Sequence, residues 1–159
     1  MVKSQSSVII LPSIRSAINV GAIFRTADAV GIDKIYLTGY TPRPTDRFDR
    51  VQKDIAKSAL GAETWIEWEY QKSLPVLISK LKRDGYSIIA LEQDKKAIDY
   101  RKVKAKGKLA FIVGPEVEGL DKKILDKCDI ITYIPMHGKK ESLNVSVATG
   151  VALFRILRP

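Results

Sequence analysis

Residues 7–38 read SVIILPSIRSAINVGAIFRTADAVGIDKIYLT, and the hydrophobic period changes twice within them. Ser7 to Leu11 (SVIIL) is an unbroken apolar run, rich in β-branched side chains, that reads as a buried strand ended by Pro12. Val20, Ile23, Phe24, Ala27 and Val30 then recur at helical intervals. The spacing predicts a helix from about Val20 to Val30, with Asn19 as its N-cap and Gly31 as its stop. Lys34 to Thr38 (KIYLT) returns to strand composition. A β-α-β order needs a crossover and so argues for a parallel sheet.

The same alternation continues outward. Asp54 to Leu60 reads as a short helix ended by Gly61, and Thr64 to Tyr70 as a strand with alternating faces. Ser73 to Asp84 carries Leu74, Leu77, Ile78 and Leu81 on one side and is expected to cover the sheet. Ser87 to Leu91, Leu109 to Val113 and Ile130 to Ile134 read as further strands, and Asp121 to Lys127 as a short helix. After Pro135 a polar loop leads to a last helix that starts at Ser142 or Asn144, with Ala148, Val151, Ala152 and Ile156 at helical spacing. The expectation is a single α/β domain over residues 1–159 with a mostly parallel sheet.

Composition narrows the function. Hydrophobic residues make up 45% of the chain, and no apolar run approaches the ~20 residues of a membrane span. Met1 to Pro12 lacks the pattern of a signal peptide, so a cytoplasmic protein with no membrane partner is expected. Cys128 is alone and His137 has no companion ligands, so neither a disulfide nor a metal centre is expected. The net charge of +9 and pI near 9.6 predict attraction to polyanions, nucleic acid first among them. Two segments concentrate that charge. Gly39 to Phe48 (GYTPRPTDRF) is a proline-rich loop, and Arg43, Arg47 and Arg50 with Tyr40 and Phe48 have the composition of an RNA-contacting loop; a solvated connector fits equally well. Arg101 to Lys108 (RKVKAKGK), with Lys104 and Lys106, reads as a phosphate-binding run or a solvated turn, the turn being slightly favoured.

Three segments are able to carry chemistry. In NVGAIFR (Asn19 to Arg25) Gly21 and Ala22 leave the start of the helix bare to a ligand. GPEVEGL (Gly114 to Leu120) follows a strand directly, at the carboxyl end where open α/β sheets bind ligands, and Glu116 is its acceptor. The third is the loop and helix start from Pro135 to Val147, with Ser142 and Asn144. Each also reads as simple capping or turn chemistry. No GxGxxG or GxxxxGK[ST] pattern occurs, so dinucleotide and Walker-type sites lack their signature.

In order, NVGAIFRTADAVG, FIVGPEVEGL and IPMHGKKESLNVSVATGVALF resemble the three motifs of the SpoU (TrmH-like) branch of the SPOUT RNA methyltransferases. The resemblance implies S-adenosyl-L-methionine as methyl donor, S-adenosyl-L-homocysteine as product, and a ribose 2′-hydroxyl of tRNA or rRNA as acceptor. It also implies a C-terminal deep trefoil knot and a homodimer whose sites use both chains. It places the catalytic set on Arg25, Asn19, Glu116, Ser142 and Asn144. Cofactor contacts fall on Leu91, Gly114, Ile134, Met136 and Leu143. Many members have asparagine where this chain has Pro115. Without an added RNA-binding domain, RNA is expected to meet Arg43, Arg47, Arg50, Lys104 and Lys106. Two alternatives stand beside this reading: a SPOUT-fold RNA-binding or assembly protein without transfer activity, and methylation of a base nitrogen.

Overall fold

A computed structural model describes residues 5–158. The readings made on Met1 to Ser4 and on Pro159 lie outside the described residues. The chain forms strands β1 (Ser7–Pro12), β2 (Lys34–Thr38), β3 (Glu67–Gln71), β4 (Tyr86–Leu91), β5 (Ile98–Asp99), β6 (Lys108–Val113) and β7 (Ile130–Tyr133). Its helices are α1 (Ala17–Val30), α2 (Lys53–Ala59), α3 (Ala62–Trp65), α4 (Leu74–Arg83), α5 (Lys122–Leu125) and α6 (Val145–Leu157), with a 3-10 turn at Tyr100–Lys102.

The strands form one sheet in the order β3-β2-β1-β6-β4-β7-β5, and every strand pairing is parallel. In chain order, β6 enters between β1 and β4, and β7 then enters between β4 and β5. Side-chain alternation divides the central strands between two cores. Ile9, Leu11, Ile35, Leu37, Phe111 and Val113 meet Val20, Ile23 and Phe24 of α1, Ile55 of α2 and Leu153 and Ile156 of α6. Val8, Ile10, Ile88, Ala90 and Ile112 meet Leu77, Ile78 and Leu81 of α4 and Ile124 and Leu125 of α5. With both faces covered, the strands read as continuous apolar runs, as SVIIL and LAFIV do.

Parallel strands also send every strand-to-helix loop to one end of the sheet. There the loops after β1, β4, β6 and β7 lie side by side.

The structure departs from the sequence expectations at four places. Helix α1 begins three residues earlier than its apolar stripe. Its N-cap is Ser16, whose hydroxyl accepts the Asn19 N–H at 3.2 Å, so Asn19 is inside the first turn. Gly31 does stop the helix, with φ 81°. Thr64 and Trp65 are helical rather than strand. The Thr64 N–H and hydroxyl both donate to Gly61 O, at 2.9 and 2.7 Å, and the Trp65 indole donates to Asp28 at 2.8 Å. The short strand β5, preceded by polar residues, had no apolar signature; the buried Thr132 hydroxyl secures it by donating to Ile98 O at 2.8 Å. Finally, Gly21 does not leave α1 bare to a ligand, because it is buried against α2; of the two starts read for α6, Asn144 is the one that caps.

Helix α2 packs against α1 at a glycine. A Cβ on Gly21 would lie 1.9 Å from Ser58 Oγ and 2.5 Å from the Ile55 carbonyl oxygen. The serine can rotate away, but the carbonyl is backbone and cannot. Gly21→Ala is expected to destabilise the fold by about 1–3 kcal/mol, read as a lowered denaturant midpoint, and Ser58→Ala should not restore it.

Candidate functional site

The three polar segments singled out in the sequence meet at the carboxyl end of the sheet. Ser16 and Asn144 open α1 and α6, which pack side by side, and the loop 114–120 leaves β6 beneath them. Glu116 faces the start of α1. Its Oε2 accepts the Arg15 N–H at 3.1 Å, and its Oε1 accepts the Ser16 N–H and the Asn19 amide nitrogen, each at 3.3 Å. Asn19 Oδ1 in turn accepts the amide of Asn144 at 3.2 Å. Asn144 Oδ1 accepts the Ser146 N–H at 2.9 Å, the Ser146 hydroxyl at 2.6 Å and the Val147 N–H at 3.4 Å.

This chain has one direction. An ionised carboxylate only accepts, so Asn19 must turn its NH₂ to Glu116 and its oxygen to Asn144. Asn144 must then give its NH₂ to Asn19, which leaves its oxygen for the helix. Burial alone would raise the Glu116 carboxyl. The N–H of Arg15, its own N–H, the Asn19 amide and the Ser16 N–H outweigh this and hold it below its ordinary value.

Beside this network lies a cavity of about 670 Å³. Leu91, Gly114, Ile134, Met136 and Leu143 all line it, together with Glu116, Ser142 and Asn144. Arg25 does not. It is six residues beyond Asn19 on the continuous helix α1, which puts it ~9 Å along the axis and about 240° around it. Arg25 is exposed and makes no hydrogen bond or ion pair with the described residues.

The basic candidates separate by strand polarity. Arg43, Arg47 and Arg50 follow the carboxyl end of β2, the cavity end. There the Arg43 guanidinium lies 3.7 Å over the Tyr70 ring, and Arg47 and Arg50 lie 4.7 and 5.1 Å from that of Phe48. Asp46 shapes this loop by accepting the N–H groups of Phe48 and Arg50 at 2.8 and 3.0 Å. Lys104 and Lys106 instead flank Ala105, whose carbonyl accepts from the Gln5 side chain at 3.5 Å, near the amino ends of β1 and β6. They are exposed at the opposite end of the sheet.

One residue of the site had no signal in the sequence. Glu92, directly after β4, accepts the Leu120 N–H at 2.9 Å, and its Oε2 lies 2.7 Å from where a Cβ on Gly114 or on Gly119 would stand. The carboxylate fills the space that the two glycines leave. Cys128 is unsuited to thiol chemistry, because burial pushes its thiol up to about 11. Among the described residues no group of three or more His, Cys, Asp or Glu is placed to hold a metal, and no helix is long and apolar enough to cross a membrane.

The lowered Glu116 carboxyl gives a pH test. A depressed folded value means that the unfolded chain binds the proton more tightly. The stability it contributes is therefore present above the ordinary 4.5 and is lost as pH falls through the folded value. Glu116→Gln should remove that component, so its denaturation midpoint should fall less than the wild type's between neutral and acid pH. Equal losses would detach Glu116 from the linkage.

With this geometry in view, comparisons with known proteins agree on one relationship. The model of the SpoU rRNA Methylase family matches residues 6–154. A Staphylococcus haemolyticus protein, assigned by its name to the TrmH family of tRNA/rRNA methyltransferases, is 35% identical over 96% of this chain and 59% of its own length. The chain thus spans less than two thirds of the curated relatives it matches. The A. aeolicus TrmH/SpoU tRNA modifying enzyme superposes with TM-score 0.84 at 26% identity, over 98% of this chain and 76% of that one. An AdoMet-bound rRNA methyltransferase from Sinorhizobium meliloti does so with TM-score 0.85 at 26% identity, over 98% of this chain and 57% of that one.

Proposed function

Because the chain belongs to the SpoU rRNA methylase family, we propose that it methylates a ribose 2′-hydroxyl of tRNA or rRNA with S-adenosyl-L-methionine as donor. The observation that carries this reading is the directed Glu116–Asn19–Asn144 network at the edge of the 670 Å³ cavity.

The cavity's chemistry fits the cofactor. Leu91, Val113, Ile134, Leu143 and Ala148 offer apolar surface to a heteroaromatic base. Glu92, Glu116, Glu118 and Glu141, set against Lys140, give an anionic lining suited to an ammonium and a sulfonium. When bound, the cofactor supplies an electrophilic methyl group. The chain's own part is position and electrostatics. Asn19 and Asn144, held in fixed rotamers by Glu116, border the space from which a hydroxyl would approach. Glu116 is a weak base because its carboxyl is held low. Arg25, whose guanidinium offers only donors, is not a proton acceptor either. The hydroxyl proton therefore leaves to phosphate or water, and Arg25 clamps the neighbouring phosphate and offsets alkoxide charge.

That role needs a second copy. Seven residues separate Ile18 from Arg25, two turns of α1, so both lie on its outer side. Ile18 is 44% exposed, and Val147, Val151 and Phe154 make a stripe on the adjoining α6 at 51, 37 and 49%. An apolar stripe of this kind favours burial against a symmetric partner. In the resulting homodimer each chain would give Arg25 to the other's cavity. The late entry of β6 and β7 between earlier strands supports the C-terminal knot. The Arg43, Arg47 and Arg50 loop would hold RNA phosphates at the same end. The cytoplasm is the expected place for such a substrate.

Two measurements test the reading. Calorimetric titration with S-adenosylmethionine and S-adenosylhomocysteine should show micromolar-range binding that Asn144→Ala weakens. No binding, with or without RNA, would instead support a non-catalytic RNA-binding protein. Arg25→Ala and Asn144→Ala should each abolish transfer, yet when co-expressed recover about a quarter of wild-type activity, since half of the dimers would carry one intact site. No recovery would mean that each site is built from one chain.

A further inference from the structure

We propose that a second cleft, beside the cofactor cavity, seats the nucleotide to be methylated, with its base stacked on Tyr40 and its phosphate held by Arg15. This rests on the methyltransferase reading and adds to it the acceptor's place. The cleft encloses about 240 Å³ between Arg15, Ser16, Asn19 and Tyr40 on one side and the loop from Pro115 to Glu118 on the other. That loop is the partition. Pro115, Glu116, Val117 and Glu118 line both this cleft and the cofactor cavity, one on each side.

The polar contact between the two spaces is the directed network itself. Asn19 lines the cleft and Asn144 lines the cavity, and the two amides are bonded to each other at 3.2 Å. A ribose whose base lay in the cleft would stand at this partition, beside the cavity in which the donor would be held.

Both recognition groups are available. Tyr40 is 57% exposed, and its phenol makes no hydrogen bond with the described residues. Arg15 uses its backbone N–H on Glu116, but its exposed guanidinium makes no ion pair with them. The loops that carry them are anchored to each other. The buried Thr41 hydroxyl accepts the Ile14 N–H at 2.9 Å and donates to Leu11 O at 2.7 Å, which ties the loop carrying Tyr40 to the loop carrying Arg15. An exposed aromatic face on an anchored loop, an unpaired guanidinium and the Asn19 amide around this cleft suit a single unstacked nucleotide. The carboxylates of Glu116 and Glu118 on the facing wall keep the phosphate at the Arg15 rim.

The test uses the full chain saturated with S-adenosylhomocysteine and titrated with each of the four ribonucleoside 5′-monophosphates, followed by ring-proton NMR of Tyr40. At least one nucleotide should shift the Tyr40 ring signals upfield, as stacking requires. Arg15→Gln should weaken that binding by about tenfold. In RNA methylation, Tyr40→Ala should raise KM by about ten- to a hundredfold and Tyr40→Phe should not, with cofactor affinity unchanged in both. No Tyr40 shift from any nucleotide, or normal kinetics for folded Tyr40→Ala in an enzyme that methylates RNA, overturns the acceptor subsite alone. Failure of the wild type to bind S-adenosylhomocysteine overturns the broader reading and this one with it.

Discussion

The site depends on a single carboxylate. Glu116 takes two backbone N–H groups from the start of α1 and one side-chain amide, and by doing so it decides which way two asparagines point. The helix N–H groups at the far end ask for the same orientation, since only the Asn144 oxygen can accept them, so the carboxylate and the helix start agree on one direction for both amides. With the charge there, three segments spread over 125 positions of the chain share one polarity, which ends in the N-cap of α6. Function and folding are not separable at this point. The groups that face the ligand space are the groups that start the two helices.

The sheet makes this possible by its uniform direction. Because every strand runs the same way, the polar loops collect at one end, and the two apolar faces are left to the helices. The end of the sheet carries the cavity and the polar network, while the outer side of α1 and α6 carries Arg25 and the exposed apolar stripe. The two regions adjoin, as they must if one chain is to complete another's site.

Much of this was legible in the sequence where the signal was local. SVIIL, KIYLT and LAFIV announce buried strands, and the period of AIFRTADAV announces α1. The three motifs were legible as a set, and the five cofactor positions that the resemblance implies, Leu91 among them from outside the motifs, do line one cavity. What was not legible depended on distant partners. Both Ser16 and Asn19 are capping residues, and only the arrival of Glu116 from 97 positions away explains why Ser16 caps and Asn19 does not. Glu92 looked like the ordinary end of a strand, since its partners are a backbone N–H and two missing side chains. The 3-10 turn and β5 were hidden because a two-residue strand has no period to read. The place of Lys104 and Lys106 followed from strand polarity, which charge density does not reveal.

The fit of Glu92 into the space left by Gly114 and Gly119 also constrains how such a chain can change. A side chain gained at either glycine would collide with the carboxylate already there, and Gly119, at φ +66°, would be strained besides. A smaller residue at 92 would release the Leu120 N–H before any new side chain had come to fill the gap. A side chain gained at either glycine would have to push the Glu92 carboxylate aside and with it the bond to Leu120. The three positions are thus coupled through one carboxylate, and the effects of changing them one at a time are not expected to add.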